Sequence, residues 1–352
     1  MERSAAKTNA PDNPSDAAWA GAERAEADGD WPTTAVRFEN LAAVLEEDPL
    51  RQCQAWLRAS RAYRFLGEIV QSADLARRAL ERARGLPDRR LVTEALLALG
   101  YLHWRRGDIA VAEDLFVEAM QGATALGDEA LQGQAQCAMA DLLSGGIDYE
   151  RAVDLYAQGA RRLAAAELWG EWVRARNNHA QTLVALERPA EAIPLLQEAL
   201  ERTKHQLEGL PRTWVLVTMA DVYARLGDVP RVHALLEEAR ARPSLNDAPM
   251  LQVLLQGTEA MVRAQQGDSA DGIAQLLALV PPMGEIGAAS DQALLLLDAA
   301  MLQRRSGDHA GASRSLAQAR SLLQGTPLRQ LLRRVESLEG GAPDGSSPDS
   351  EI

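Results

Sequence analysis

The sequence predicts an all-α protein, a solenoid of stacked helical hairpins. The first observation is composition: 47% of the 352 residues are apolar but only 4% are aromatic. The apolar share leans on Ala and Leu, which suit close-packed helices and make poor strands. The second is a regular beat. Gly67, Gly107, Gly227, Gly267 and Gly307 each stand between two helical patterns, separated by 40 residues or a multiple of 40. The third is that side chains around each turn repeat in size. A fixed period of this length marks a repeat array, in which a hairpin buries its apolar face only against its neighbours.

Taken in order, residues 1–14 are polar, with Pro11 and Pro14, and are expected to be disordered. Order should begin at Ser15 or Asp16, either of which can cap a helix running through Trp19 to Ala27. After a Gly29-Asp30 turn, Pro32 to Leu45 reads as the second helix of the first hairpin, with Ala35, Phe38, Leu41 and Ala42 inward, and Pro49 closes the unit.

The 40-residue units then follow. Seven positions before each turn the first helix carries a small residue: Ser60, Gly100, Ala140, Ala180, Ala220, Ala260 and Ala300. Just after the turn the second helix carries Ser72, Ala112, Ala152, Ala192, Val232, Gly272 and Ala312. Four residues on come Ala76, Phe116, Tyr156, Leu196, Leu236, Leu276 and Leu316, and three beyond those Ala79, Ala119, Gly159, Ala199, Ala239, Leu279 and Ala319. Small residues let the two helices approach, and the large one fills the gap to the next hairpin.

Irregularities carry expectations of their own. Gly145-Gly146-Ile147 fills one beat that lacks a glycine in register, and Glu187-Arg188-Pro189 fills the other, where proline at a helix start is expected to replace the glycine turn. Pro194 inside a second helix predicts a mild kink, and Val280-Pro281-Pro282 a bend. Leu328, Leu331, Leu332, Val335 and Leu338 fall on one face of a segment over 328–338, which reads as an amphipathic helix capping the exposed end. The Pro/Gly/Ser-rich acidic tail, 339–352, is expected to be disordered, leaving 15–338 as one array of about eight hairpins.

A formal charge of −13 argues against nucleic acid as the main partner, because phosphate neutralisation needs a clustered basic surface. Cys53 and Cys137 are too few and too distant to form a disulfide framework or zinc site and read as small buried thiols. No segment reaches the roughly 18 uninterrupted apolar residues of a membrane span, and the N-terminus lacks the apolar stretch of a secretory signal. A cytoplasmic location is the expectation.

Catalytic chemistry is not legible. His103, His179, His205, His233 and His309 are scattered, with no metal-type pairing, and His103 and His179 read as packing residues. No phosphate loop, nucleophile elbow or dinucleotide fingerprint occurs, and Glu198 and Glu201 read as solvated helix surface. Neither an enzyme nor a cofactor is expected.

Residues 95–119 show the unit most clearly. Leu96, Leu99, Gly100 and His103 lead into the Gly107-Asp108 turn, and Ala112, Phe116 and Ala119 follow it. This pattern resembles the tetratricopeptide repeat (TPR), and the 40-residue step resembles its longer variant, as in kinesin light chains and the TPR arrays of bacterial regulators. The resemblance implies a right-handed superhelical solenoid of helix-turn-helix repeats with a C-terminal capping helix, and a concave groove lined by each hairpin's first helix. By TPR position, the groove residues are Arg58, Arg61 and Arg64, then Tyr101, Trp104 and Arg105. Asp141 follows, then Arg174, Asn177, Asn178 and Gln181, then Trp214, Asp221 and Arg225, and last Met261, Asp298, Met301 and Arg304. Asn178 occupies the position at which TPR proteins hold a ligand backbone.

Arginines and aromatics in the early part of this series point to a protein or peptide partner of acidic character, since guanidinium forks pair with carboxylates and rings add stacking area. The same arginines can instead pair with neighbouring Asp and Glu, and Tyr101 and Trp104 can pack between adjacent helices. The expected function is a non-catalytic binding scaffold without nucleic-acid or membrane partners. The alternative is a ligand- or peptide-sensing component of a bacterial signalling or transcription system, acting through a separate output protein. The apolar ends of an array also allow self-association.

Overall fold

The computed structural model of the chain describes residues 14–27, 30–206, 209–246, 248–287 and 289–340. All regular structure among the described residues is helical. Helices α1 (Pro14–Ala27) and α2 (Trp31–Val44) form the first hairpin, followed by α3 (Pro49–Phe65) with α4 (Ile69–Ala83) and α5 (Arg89–Arg105) with α6 (Ile109–Leu126). Next come α7 (Glu129–Leu143) with α8 (Tyr149–Ala165), α9 (Trp169–Ala185) with α10 (Pro189–Gln206), and α11 (Leu210–Arg225) with α12 (Val229–Arg240). The seventh hairpin has α13 (Pro249–Gln265), α14 (Ser269–Ala278) and α15 (Val280–Ile286), and the eighth α16 (Ala289–Arg305) with α17 (His309–Leu323). One further helix, α18 (Arg329–Glu339), ends the series.

Two compact units divide the chain inside α7: unit 1 is Met1–Ala138 and unit 2 is Met139–Ile352. Pro14 already belongs to α1, one residue before the expected start, while 1–13, Gly29 and 341–352 lie outside the described residues.

The Gly-Asp turns have a mechanical explanation. The turn glycines hold φ between 78° and 114°, a left-handed conformation that a Cβ disfavours. After two of these turns the following Asp caps the next helix: Asp228 accepts from the Arg231 N–H at 3.3 Å and Asp308 from the Gly311 N–H at 2.8 Å, whereas Glu68, Asp108 and Asp268 make no side-chain cap. At the beat lacking glycine, the turn geometry is kept rather than replaced by proline. Glu187 itself takes φ 62°, and Pro189 opens the following helix. Glu167, at the entry to α9, is likewise left-handed at φ 56°.

The repeated size pattern is the core. Every residue of the four recurrent positions from Ser60 to Ala319 is buried. Gly100 in α5 lies against the Phe116 ring of α6, leaving no room for a methyl group. In the preceding hairpin the positions equivalent to Gly100 and Ala112 are polar, and Ser60 and Ser72 satisfy each other, each hydroxyl donating to the other's backbone carbonyl at 2.8 and 2.7 Å. Pro194 is accommodated within an unbroken α10. The Val280-Pro281-Pro282 segment breaks the seventh hairpin's second helix into α14 and α15, as its prolines dictate.

Helix α18 does more than cap. Leu331 and Val335 are fully buried and join a core cluster that includes Tyr149 of α8. The Gln330 backbone N–H donates to the Gly146 carbonyl at 2.8 Å, and the Gln330 side-chain carbonyl accepts from the Tyr149 N–H at 2.5 Å. Arg334 reaches Glu187 in the α9–α10 turn at 3.4 Å. Unit 2 therefore closes on itself: its last helix returns to the turns of its first two hairpins.

Candidate binding surfaces

In unit 1 the predicted residues fall on α3 and α5 and separate by role. Arg58 is turned toward the first hairpin, pairing with Glu23 at 2.7 Å and Glu26 at 3.0 Å and lying over the Phe38 ring at 4.8 Å. Arg64 stacks over Tyr101 at 4.7 Å, and Tyr101 meets Phe116 edge-on at 5.3 Å. Trp104 stands beside Tyr101, ring centres 6.3 Å apart, and is only half-buried, while Arg61 and Arg105 are exposed. Since positions three and four apart share a helix face, Arg61 and Arg64 on α3 and Tyr101, Trp104 and Arg105 on α5 form a cationic and aromatic surface.

In unit 2 most of the predicted residues are engaged with one another. Asp141 is 2% exposed and accepts hydrogen bonds from the Tyr156 hydroxyl at 2.6 Å, the Asn178 amide at 2.9 Å and the Arg174 guanidinium. Burial, reinforced by the Asp141 charge, pushes the Tyr156 hydroxyl's pKa well above its ordinary value. Asn178, the expected backbone anchor, thus gives its amide to a buried carboxylate, and its carbonyl accepts from Asn177 at 3.4 Å. Asn177 is buried, Gln181 donates to the Thr218 hydroxyl at 3.2 Å, and Trp214 is half-buried. His179 packs as expected, stacked on Tyr156 at 6.0 Å, but its Nδ1 has no partner. Burial, with the fields of Arg176 and Arg188, lowers its pKa to about 4.

Arg225 of α11 pairs with Asp221 at 3.0 Å and, across to α16, with both oxygens of Asp298 at 3.1 and 2.8 Å. Burial opposes its charge, but the two carboxylates outweigh burial and raise its pKa. This pair borders a cleft of about 310 Å³ lined by Val184, Glu187, Met261, Gln265, Met301 and Arg334 among others. The sequence placed Met261, Asp298 and Met301 on an inward face. It did not place Arg334, Gln265 or Glu187 beside them, because nothing local in a terminal helix says which surface that helix returns to.

Among the described residues, no three metal-ligating side chains gather and no helix is long and apolar enough to cross a membrane. Cys53 and Cys137 are buried and form no disulfide, and burial pushes the Cys53 thiol up to about 11.

With this geometry established, the model of the tetratricopeptide repeat matches residues 173–243, spanning most of α9 to α12. Residues 173–243 carry tetratricopeptide repeats. No curated protein sequence matches it. Among solved structures, this chain is similar to a Rap protein complexed with Competence and Sporulation Factor, at 12% identity and TM-score 0.65, over 91% of this chain and 94% of that one. It is also similar to aspartyl phosphate phosphatase F from Bacillus subtilis, at 12% identity and TM-score 0.60, over 83% and 76%. The apo quorum sensor NprR from B. thuringiensis gives 12% identity and TM-score 0.57, over 88% and 87%. At these identities the likeness establishes the fold of the TPR array alone.

Proposed function

We propose that this TPR protein is a non-catalytic module that binds a protein or peptide segment of acidic character on the α3–α5 surface of unit 1. The observation that carries the reading is the juxtaposition of exposed Arg61 and Arg105 with a half-buried Trp104 on a Tyr101–Arg64 stack. Guanidinium groups supply paired donors for carboxylates, and the rings supply rigid area at little entropic cost. Titrating fluorescently labelled acidic peptides and their lysine-substituted counterparts tests this. The acidic set should bind, weaken with salt, and lose binding in the Arg61→Glu/Arg105→Glu variant. Equal binding of both sets refutes the reading.

A second reading is favoured by the closure of unit 2: a sensor that takes a small ligand into its cleft. The quorum-sensor neighbour is consistent with such a role but does not establish it. The cleft's side of α18 would report occupancy, because that helix holds Arg334 at the cleft and Gln330 at the Gly146 turn.

A further inference from the structure

The unit 2 cleft has walls whose unmet needs define a ligand. Met261, Met301, Leu302 and Val184 give it an apolar lining, and methionine adapts its shape to a guest more readily than branched residues do. Its volume of about 310 Å³ is at the lower end of the roughly 300–1,000 Å³ of small-ligand sites, enough for a guest about the size of one residue.

The polar lining is incompletely satisfied. Arg225 is committed to Asp221 and Asp298. The Arg334 side chain is only 14% exposed, yet its one carboxylate contact is Glu187 at 3.4 Å; its Nη2 otherwise meets the Met301 sulfur at 3.9 Å, and its Nε is buried with no partner. Arg305 is exposed at the cleft, and no carboxylate lies within ion-pair distance of it among the described residues. Gln265 donates to the Ala224 carbonyl at 3.0 Å, but its own Oε1 is buried without a donor. Buried polar atoms left in this state are costly and mark places where a partner fits.

Two guanidinium groups short of acceptors, a carbonyl oxygen short of a donor and an apolar wall make one complementary set. We propose that the cleft binds a small apolar carboxylic acid bearing an N–H donor: an apolar α-amino acid, free or as the last residue of a peptide. Its carboxylate pairs with Arg305 and Arg334, its N–H serves Gln265 Oε1, and its side chain lies against Met261 and Met301. A bare hydrocarbon would leave every one of the polar needs unmet. An inorganic phosphate would leave the apolar wall exposed to water, and a cation would face two arginines. The inference rests on the sensor reading of unit 2 and adds the chemical class of ligand to it.

Methionine-methyl NMR on the full chain tests both levels. The probes are N-acetyl-L-leucine for a peptide end, L-leucine for the free amino acid, N-acetyl-L-leucinamide without the carboxylate, and 4-methylpentanoic acid without the N–H. N-acetyl-L-leucine or L-leucine should shift the Met261 and Met301 methyl signals, and the tighter of the two names the source. The amide and 4-methylpentanoic acid should bind at least about tenfold more weakly, as should the better acid in Arg305→Gln, an exposed position whose change leaves the fold intact. Arg334→Gln should weaken it further. Equal binding of N-acetyl-L-leucine and its amide overturns the carboxylate assignment while leaving the cleft as a ligand site. If no probe moves Met261 or Met301, the assignment and the sensor reading fall together.

Discussion

Gly100→Ala tests how the repeat is built. A Cβ at Gly100 would stand 2.6 Å from Phe116 Cδ1, and closer still to Cε1, where carbon atoms prefer about 3.5–4.0 Å. Phe116 is fully buried and held edge-on by Tyr101, so α5 and α6 must separate by about 1 Å or the ring must leave its rotamer. Overpacking of this kind costs about 1–3 kcal/mol, and the better helix propensity of Ala offsets about 1 kcal/mol of it. The net expectation is destabilisation by about 0–2 kcal/mol. Phe116→Leu alone leaves a void and costs a similar amount, about 1–2 kcal/mol. The double variant restores the pair found at Ala180/Leu196 and Ala220/Leu236, all four buried. It should recover about 2 kcal/mol relative to the sum of the single changes. Urea unfolding followed by circular dichroism and by tryptophan fluorescence measures the cycle. Additive losses, or stabilisation by Gly100→Ala alone, would refute the close-approach argument.

Two further predictions concern the irregular places. Glu167 is exposed and held at φ 56°, so Glu167→Gly should relieve left-handed strain and stabilise unit 2 by about 1 kcal/mol in the same unfolding assay; a loss of stability contradicts the strain assignment. His179 has a folded pKa of about 4 against an ordinary 6.5, so the unfolded chain binds its proton first. The associated stability is complete above about pH 6.5 and lost as pH falls through 4. Unfolding midpoints measured from pH 7 to 4 should fall less steeply in His179→Phe, and parallel slopes would show that His179 does not contribute.

The architecture was legible because the array repeats its reasons. A glycine at 40-residue intervals makes the same left-handed turn, and one size pattern recurs at each interface. The turn at Glu187 is not legible locally because a residue with a Cβ is disfavoured at φ 62°; the surrounding hairpin imposes a conformation that local preference does not encode. The candidate surfaces were only partly legible. Position within the repeat nominated Trp104, Arg105 and Met261 as candidates, but it could not show that Asn178 donates to Asp141, since that bond joins residues 37 apart in sequence. The return of α18 to Gly146 spans still more chain, with Gln330 and Tyr149 181 residues apart. Leu331 and Val335 reveal an apolar face but not the turn it meets.

Acidic recognition by the unit 1 surface is most directly tested by selecting an unbiased displayed-peptide library in parallel on the wild-type protein and on Arg61→Glu/Arg105→Glu, then sequencing both pools. The account predicts enrichment of acidic segments on the wild type and loss of that enrichment on the variant. Enrichment without acidic bias, or the same acidic sequences in both pools, would contradict it.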